Sequence, residues 1–290
     1  MIMKKVLILG KNSYIGESIK RWLEKYPTEY LVKIVSTMNY EWKKTDFSDF
    51  DTVVDLAGIA HINHITSDMK DLFYSVNRDL TIELGKYAKE QGVKFFVYFS
   101  SMNVYGDYCD NIDNREKVSP SSFYGDSKLQ GDIGLHKLED ENFAVASLRP
   151  PFVYGKGCSG NYNTISAIAK KAPIFPDFNN KKSMIYIDNL CEFVRLLINN
   201  PESGVFTPQN KELVSTSDLV RQIALQSNKK VWFTRLFNWA IIIGNKLTKK
   251  IRRAFANDCY VQELSDYYGY KYCVVNFKES IRNTETKECL

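Results

Sequence analysis

An α/β fold on a doubly wound parallel sheet, followed by a smaller α/β C-terminal part, is what this sequence predicts. Three observations carry the prediction. Short β-rich runs alternate with longer helical patterns over the first 150 residues, a glycine turn joins the first strand to the first helix, and the pattern changes after Arg149-Pro150-Pro151. Parallel neighbours need crossover connections, so such alternation places helices on both faces of one sheet.

Val6-Leu7-Ile8-Leu9 reads as a buried strand, and 15–26 as a helix with Ile15, Ile19, Trp22 and Leu23 apolar. Strands are expected at 30–36 and 51–56, one long helical stretch at 67–91, and an apolar strand at 94–100. A helix at 122–138 and a strand at 143–148 complete the series. Gly155, Gly157 and Gly160 then mark a polar, turn-rich stretch. Shorter elements follow, including a strand at 184–187 and a helix at 189–198. The division is therefore 1–155 and 156–290, with some later segments expected to return to the first part.

Apolar residues at 44% and charged residues at 25% are ordinary globular values, and the net charge of +5 demands neither nucleic acid nor membrane. Six scattered cysteines without a C-x-x-C pair argue for reduced thiols and a cytoplasmic protein. The apolar run before Gly10 is too short for a signal peptide. Residues 236–255 are the densest hydrophobic and basic segment, but their unbroken apolar run, 239–243, is far below the roughly 18 residues of a membrane span. Lys246, Lys249, Lys250, Arg252 and Arg253 follow it, the composition of an interfacial helix. A stripe packed on the second part explains the Trp and Ile without lipid, and that packing is the expectation.

The turn Gly10-Lys-Asn-Ser13-Tyr14-Ile15-Gly16 follows a strand and opens a helix. There, backbone N–H groups and the helix N-terminus face a pyrophosphate, so residues 1–155 are read as a dinucleotide-binding domain with Gly10, Ser13, Tyr14, Ile15 and Gly16 as contacts. Ser13 stands where a middle glycine is expected and narrows the space for phosphate. The second strand ends Ile34-Val35-Ser36-Thr37-Met38, with neither the acid of an NAD site nor an arginine for NADP. The missing acid tilts the choice between NAD and NADP towards NADP.

Tyr124 and Lys128 lie four apart on a helix, hence on one face. A lysine ammonium beside a phenol favours the phenolate and lowers the tyrosine pKa, as an acid/base group requires. Tyr40/Lys44 and Tyr267/Lys271 share the spacing, but only Tyr124 follows a long apolar strand ending in Ser100-Ser101. Ser101, at a carboxyl strand end, faces the crevice where such sheets bind ligands.

Together these motifs resemble an extended short-chain dehydrogenase/reductase of the NAD-dependent epimerase/dehydratase type, which handles nucleotide sugars on a Rossmann-type sheet. The resemblance spans nearly the whole chain. It includes Asp55-Leu56-Ala57-Gly58, Asn77 to Thr81, Val104-Tyr105-Gly106, Val153-Tyr154-Gly155 and Ile185-Tyr186-Ile187-Asp188-Asn189-Leu190. It implies Tyr124 as acid/base, Lys128 on the nicotinamide ribose and Ser101 on the sugar oxygen. It also implies Asp46 near the adenine, Leu56, Ala57 and Gly58 lining the cofactor, and Asn77 and Pro150 towards the nicotinamide. Asn103 is assigned to the substrate, whose diphosphate would lie near Asn161, Lys182 and Tyr186. A homodimer is the family's habit.

Departures narrow the activity. Lys182 stands where many relatives have an arginine, and it supplies charge without a bidentate fork. Met102-Asn103 replaces the Asp-Glu pair of related 4,6-dehydratases, so water elimination is rejected. The expected function is oxidoreduction at C4 of a nucleotide-linked sugar in surface polysaccharide synthesis. The leaning is to reduction of a UDP-4-keto-6-deoxy sugar; a 4-epimerase with tightly held NAD is the alternative. A non-catalytic sensor of nicotinamide redox state is the rival from another class. His61 and His64 lack a convincing third ligand, so no metal is expected.

Overall fold

The computed structural model describes residues 3–60, 69–107 and 109–286. Along the chain come β1 (Lys4–Leu9), α1 (Tyr14–Leu23), β2 (Tyr30–Val35), β3 (Thr52–Asp55), α2 (Lys70–Tyr74), α3 (Thr81–Glu90), β4 (Phe95–Phe99), α4 (Phe123–His136) and β5 (Ala144–Leu148). Next are β6 (Phe152–Tyr154), α5 (Asn161–Lys171), β7 (Ile174–Pro176), β8 (Met184–Tyr186), α6 (Ile187–Asn199) and β9 (Gly204–Phe206). The remainder forms α7 (Thr216–Gln226), β10 (Trp232–Thr234), α8 (Asn238–Leu247), α9 (Lys249–Phe255) and α10 (Phe277–Glu285).

Two compact units share these elements. One comprises Met1–Gly106, Lys117–Pro150 and Leu190–Pro208; the other comprises Asp107–Glu116, Pro151–Asn189 and Gln209–Leu290.

The first unit holds the expected doubly wound sheet, six parallel strands in the order β2-β1-β3-β4-β5-β9. Every residue of β3 and β4 is buried, as happens when helices cover both faces of a parallel sheet. Leu7, Leu9, Val53, Phe96 and Val145 from the strands meet Leu84 and Ala88 of α3 and Leu135 of α4 in one core. Strand order reverses around β1 and β3, so the crevice for a ligand lies beyond their carboxyl ends, at Gly10 and Leu56.

The helical stretch expected over 67–91 is interrupted. A π-helical turn, Ser75–Leu80, separates α2 from α3 and carries the fully buried Asn77. Such a turn shifts the spacing of the inward side chains, but the residues buried in it and just after it, Asn77 and Thr81, are polar, so an apolar pattern does not report it.

In the second unit β6 pairs with β8 and β7 with β10, both in parallel. Ser215 and Asp218 close a reciprocal capping box on α7. Tyr260 and Tyr272 of the tyrosine-rich C-terminal stretch are fully buried, which makes them packing residues.

One expectation fails here. The apolar stripe of 236–255 does not pack inward: Trp239 is 66% exposed, Ile243 50% and Leu247 75%. Only Ile241 and Gly244 of α8 are buried. The reason is local: a Cβ on Gly244 would sit 2.5 Å from Ile251 Cδ1, so α9 folds onto the glycine face and the stripe is left outside.

Among the described residues no helix is long and apolar enough to cross a membrane, and none of their His, Cys, Asp and Glu side chains cluster as metal ligands. His61 and His64 lie outside the described residues.

Candidate active site

β1 hands over to α1 through Gly10, whose φ of 134° is open to glycine and strained for other residues. A Cβ there would lie 3.1 Å from Leu56 Cβ, and one on Gly16 would lie 3.2 Å from the Gly10 carbonyl oxygen. The two glycines therefore let strand, helix and the loop after β3 converge. Ser13 caps α1, its hydroxyl accepting from the Gly16 amide at 3.2 Å. Its hydroxyl is thus engaged by the helix end. Tyr14 and Ile15 form the helix's first turn, half-buried.

β4 delivers the next group. Beyond Phe99, Ser101 accepts from the Asn103 amide at 3.2 Å and opens a short turn, Met102–Tyr105. In that turn Met102 is buried and Asn103 is exposed. The Pro150 carbonyl, at the end of β5, accepts from the Met102 amide at 3.2 Å. Gly125 lets α4 approach the same turn, since a Cβ there would lie 2.5 Å from the Asn103 oxygen.

α4 starts at Ser122, which accepts from the Gly125 amide at 3.1 Å, and carries Tyr124 and Lys128 one turn apart. The Ser101 hydroxyl acts on the Tyr124 phenol so as to favour its ionised form, and Phe73 of α2 meets the ring edge-on at 6.4 Å. Lys128 is buried. Its Nζ donates to the Phe99 carbonyl at 2.9 Å and to the Ala57 carbonyl at 3.4 Å, and lies 4.8 Å over the Tyr98 ring.

Gly58 makes that reach possible, because a Cβ there would stand 2.8 Å from Lys128 Nζ. Asn77 braces the same loop. It accepts from the Ile59 amide at 2.7 Å, donates to the Ile59 carbonyl at 3.2 Å, and donates to Ser127 at 3.1 Å. Asp46, exposed, closes its own turn by accepting from the Ser48 amide and hydroxyl, which hold its carboxyl below the usual range.

The electrostatics correct one expectation. Burial pushes the Tyr124 phenol above its ordinary value, with the Ser101 hydroxyl opposing it; Lys128 directs its donors to carbonyls instead. Burial brings the Lys128 ammonium down to about 8, against the attraction of Asp55 and Asp132. Asp55 is pushed up to about 6 by burial, opposed by Lys128, the Ala57 amide and the Thr81 hydroxyl.

Sequence reasoning missed Asp132. It is buried four residues beyond Lys128, accepting from Ser100 Oγ at 3.0 Å and from Arg149 Nε at 3.0 Å. Arg149 in turn donates to the Tyr105 hydroxyl at 3.0 Å. The run Tyr124, Lys128, Asp132 was the available signal, a helical face carrying two opposite charges.

The first unit thus brings together the Gly10 turn, Leu56 to Gly58, Asn77, Ser101, Asn103, Tyr124, Lys128 and Pro150. The second unit holds Asn161, Lys182 and Tyr186. There Lys182 takes part in a backbone bridge with Val214, and burial lowers its ammonium while Asp258 attracts it. Tyr186 is buried, its ring 5.6 Å from that of Tyr154 and its amide donating to Asn210 at 3.0 Å. Asn161, exposed, begins α5 after the positive-φ Gly160.

Comparison with known proteins finds relatives of similar sequence and solved structures of similar fold. The family model described as "NAD dependent epimerase/dehydratase family" matches residues 6–208. A UDP-glucose 4-epimerase of Vibrio cholerae is 27% identical over 276 residues, covering 85% of this chain and 83% of its own. The N-acetyl-alpha-D-glucosaminyl-diphospho-ditrans,octacis-undecaprenol 4-epimerase of Escherichia coli O157:H7 is 28% identical over 246 residues, covering 78% and 73%. The crystal structure of a Bacillus cereus UDP-N-acetylglucosamine 4-epimerase superposes with a TM-score of 0.78 over 97% of this chain and 98% of its own, at 15% identity. That last likeness is one of fold.

Proposed function

Since the chain belongs to the NAD dependent epimerase/dehydratase family, we propose that it inverts C4 of a diphosphate-linked hexose, most simply a nucleotide sugar, by oxidation and re-reduction. The observation carrying the redox reading is the Tyr124 phenol, favoured towards ionisation by the Ser101 hydroxyl, one helical turn from a buried Lys128 fixed by two carbonyls. Epimerisation is preferred to net reduction because the two curated relatives named above are both 4-epimerases.

The glycine cradle at Gly10 and Gly16 and the side-chain-free space at Gly58 fit a dinucleotide. A bound nicotinamide supplies the hydride acceptor and donor. Lys128 has three N–H donors, and two carbonyls leave one for a ribose hydroxyl. Ser101 holds the C4 oxygen, and Tyr124 takes and returns its proton. Asn161, Lys182 and Tyr186 are proposed for the diphosphate, and Asp46 for the adenine. Action in the cytoplasm, in surface polysaccharide synthesis and as a homodimer belongs to the same proposal.

A second reading has one observation in its favour. Burial keeps the proton on Tyr124, which is the acid needed to reduce a 4-keto sugar with NAD(P)H.

Incubation with UDP-glucose, UDP-N-acetylglucosamine and a 4-keto-6-deoxy nucleotide sugar separates the readings. Interconversion without net cofactor consumption is expected; stoichiometric NAD(P)H oxidation establishes the reductase. Tyr124→Phe is expected to lower turnover about 10²- to 10⁴-fold. Undiminished function of that variant in cells would point instead to a non-catalytic redox sensor.

A further inference from the structure

The stripe on α8 has helical order. Trp239, Ile242, Ile243 and Leu247 fall on one side of the helix and are half or more exposed, while Ile241 and Gly244 on the other side are buried. Leu236, just before the helix, is 70% exposed. A soluble protein rarely leaves so contiguous an apolar face to water unless something covers it.

Charge identifies what covers it. From 219 to 257 the chain contains no Asp or Glu and nine Lys or Arg. With those nine set aside, the rest of the chain has thirty basic against thirty-four acidic residues, so the positive net charge is confined to this stretch. Within it, Arg221 and Arg235 are paired with Asp177. Lys246, Lys249, Lys250 and Arg253 are exposed along α8 and α9, next to the apolar side chains. Exposed Trp and Ile bordered by cations is the composition that lies in the boundary of an anionic bilayer, rings and aliphatic chains at headgroup depth and ammonium groups on the phosphates. A second copy of the chain fits worse. A twofold contact through this face would set like charges against one another.

We propose that α8 and α9 dock the protein on an anionic membrane surface, peripherally, through Trp239, Ile243 and Leu247 with Lys246, Lys249, Lys250 and Arg253. The inference stands on the exposed face and its charge, independently of the reaction assigned above.

Flotation of the full-length protein with vesicles tests it, comparing phosphatidylcholine alone with phosphatidylcholine containing phosphatidylglycerol. The protein is expected to float with the anionic vesicles and to be released as salt rises and the Debye length shortens. Trp239→Glu/Ile243→Glu and Lys249→Glu/Lys250→Glu are each expected to cut vesicle binding about tenfold or more. All these positions are exposed, so both variants are expected to keep the parent's melting temperature, which a thermal scan verifies. Three results would overturn the proposal: no flotation of the parent protein, equal flotation of the variants, or a dimer without vesicle affinity that Trp239→Glu converts to monomer. The last marks the face as a contact between copies.

Discussion

Lys128 is the residue on which most of the site's electrostatics converge. Its ammonium is held by two carbonyls, burial brings it down to about 8, and Asp55 and Asp132 work in the opposite direction. If the charged form orients a ribose, kcat/KM falls as pH rises through about 8, where that proton leaves. Asp55→Asn removes an influence that keeps the proton on, so the alkaline limb is expected to move to lower pH. A kcat/KM profile against pH reads this directly, and an unmoved limb or an upward shift would contradict it. Tyr124, Lys128 and Ser101 were legible because each belongs to a recognisable local pattern. The opposing phenol shift was not, because burial depends on tertiary packing such as that of Phe73 of α2 on the ring, which i, i+4 spacing does not report. The influence of Asp55 on Lys128 likewise acts across 73 positions of chain, and no local rule reaches it.

Among elements, the strand–turn–helix at Gly10 was readable in both type and place, since the residue chemistry dictates the backbone there. Gly10→Ala forces a side chain onto a φ of 134° and against Leu56. It is expected to cost about 1–3 kcal/mol in stability and to reduce co-purifying dinucleotide, checked by thermal melting and by cofactor content. A variant with full stability and full cofactor would remove the cradle from the account. The competing Tyr–Lys spacings separate at this scale too. Tyr40 has φ 55°, and Tyr268 and Gly269, inside the 267–271 spacing, have φ 54° and 61°. Neither spacing rides on an α-helix, whereas Tyr124 and Lys128 do. Two elements escaped the sequence. The buried residues of the π-helical turn and its C-terminal cap, Asn77 and Thr81, are polar, which an apolar pattern does not report, and the outward stripe of α8 has the same composition as one that packs inward. Composition gives amphipathicity; the glycine contact between α8 and α9 decides which way the face points.

At the scale of the molecule, the parallel sheet was predictable because alternating strand and helix patterns admit few topologies, and right-handed crossovers prune them further. The uneven spread of charge was present in the sequence as well, but a net value of +5 averages it away. The account's central claim is redox exchange at C4 through Ser101, Tyr124 and Lys128, and isotopic labelling tests it most directly. A nucleotide sugar carrying deuterium at C4 is incubated with the purified protein and its bound cofactor, and the product is read by NMR. The prediction is inversion at C4 with the deuterium retained on that carbon and no net change in cofactor. Inversion with the label lost to water, or reaction at another carbon with C4 untouched, would contradict it.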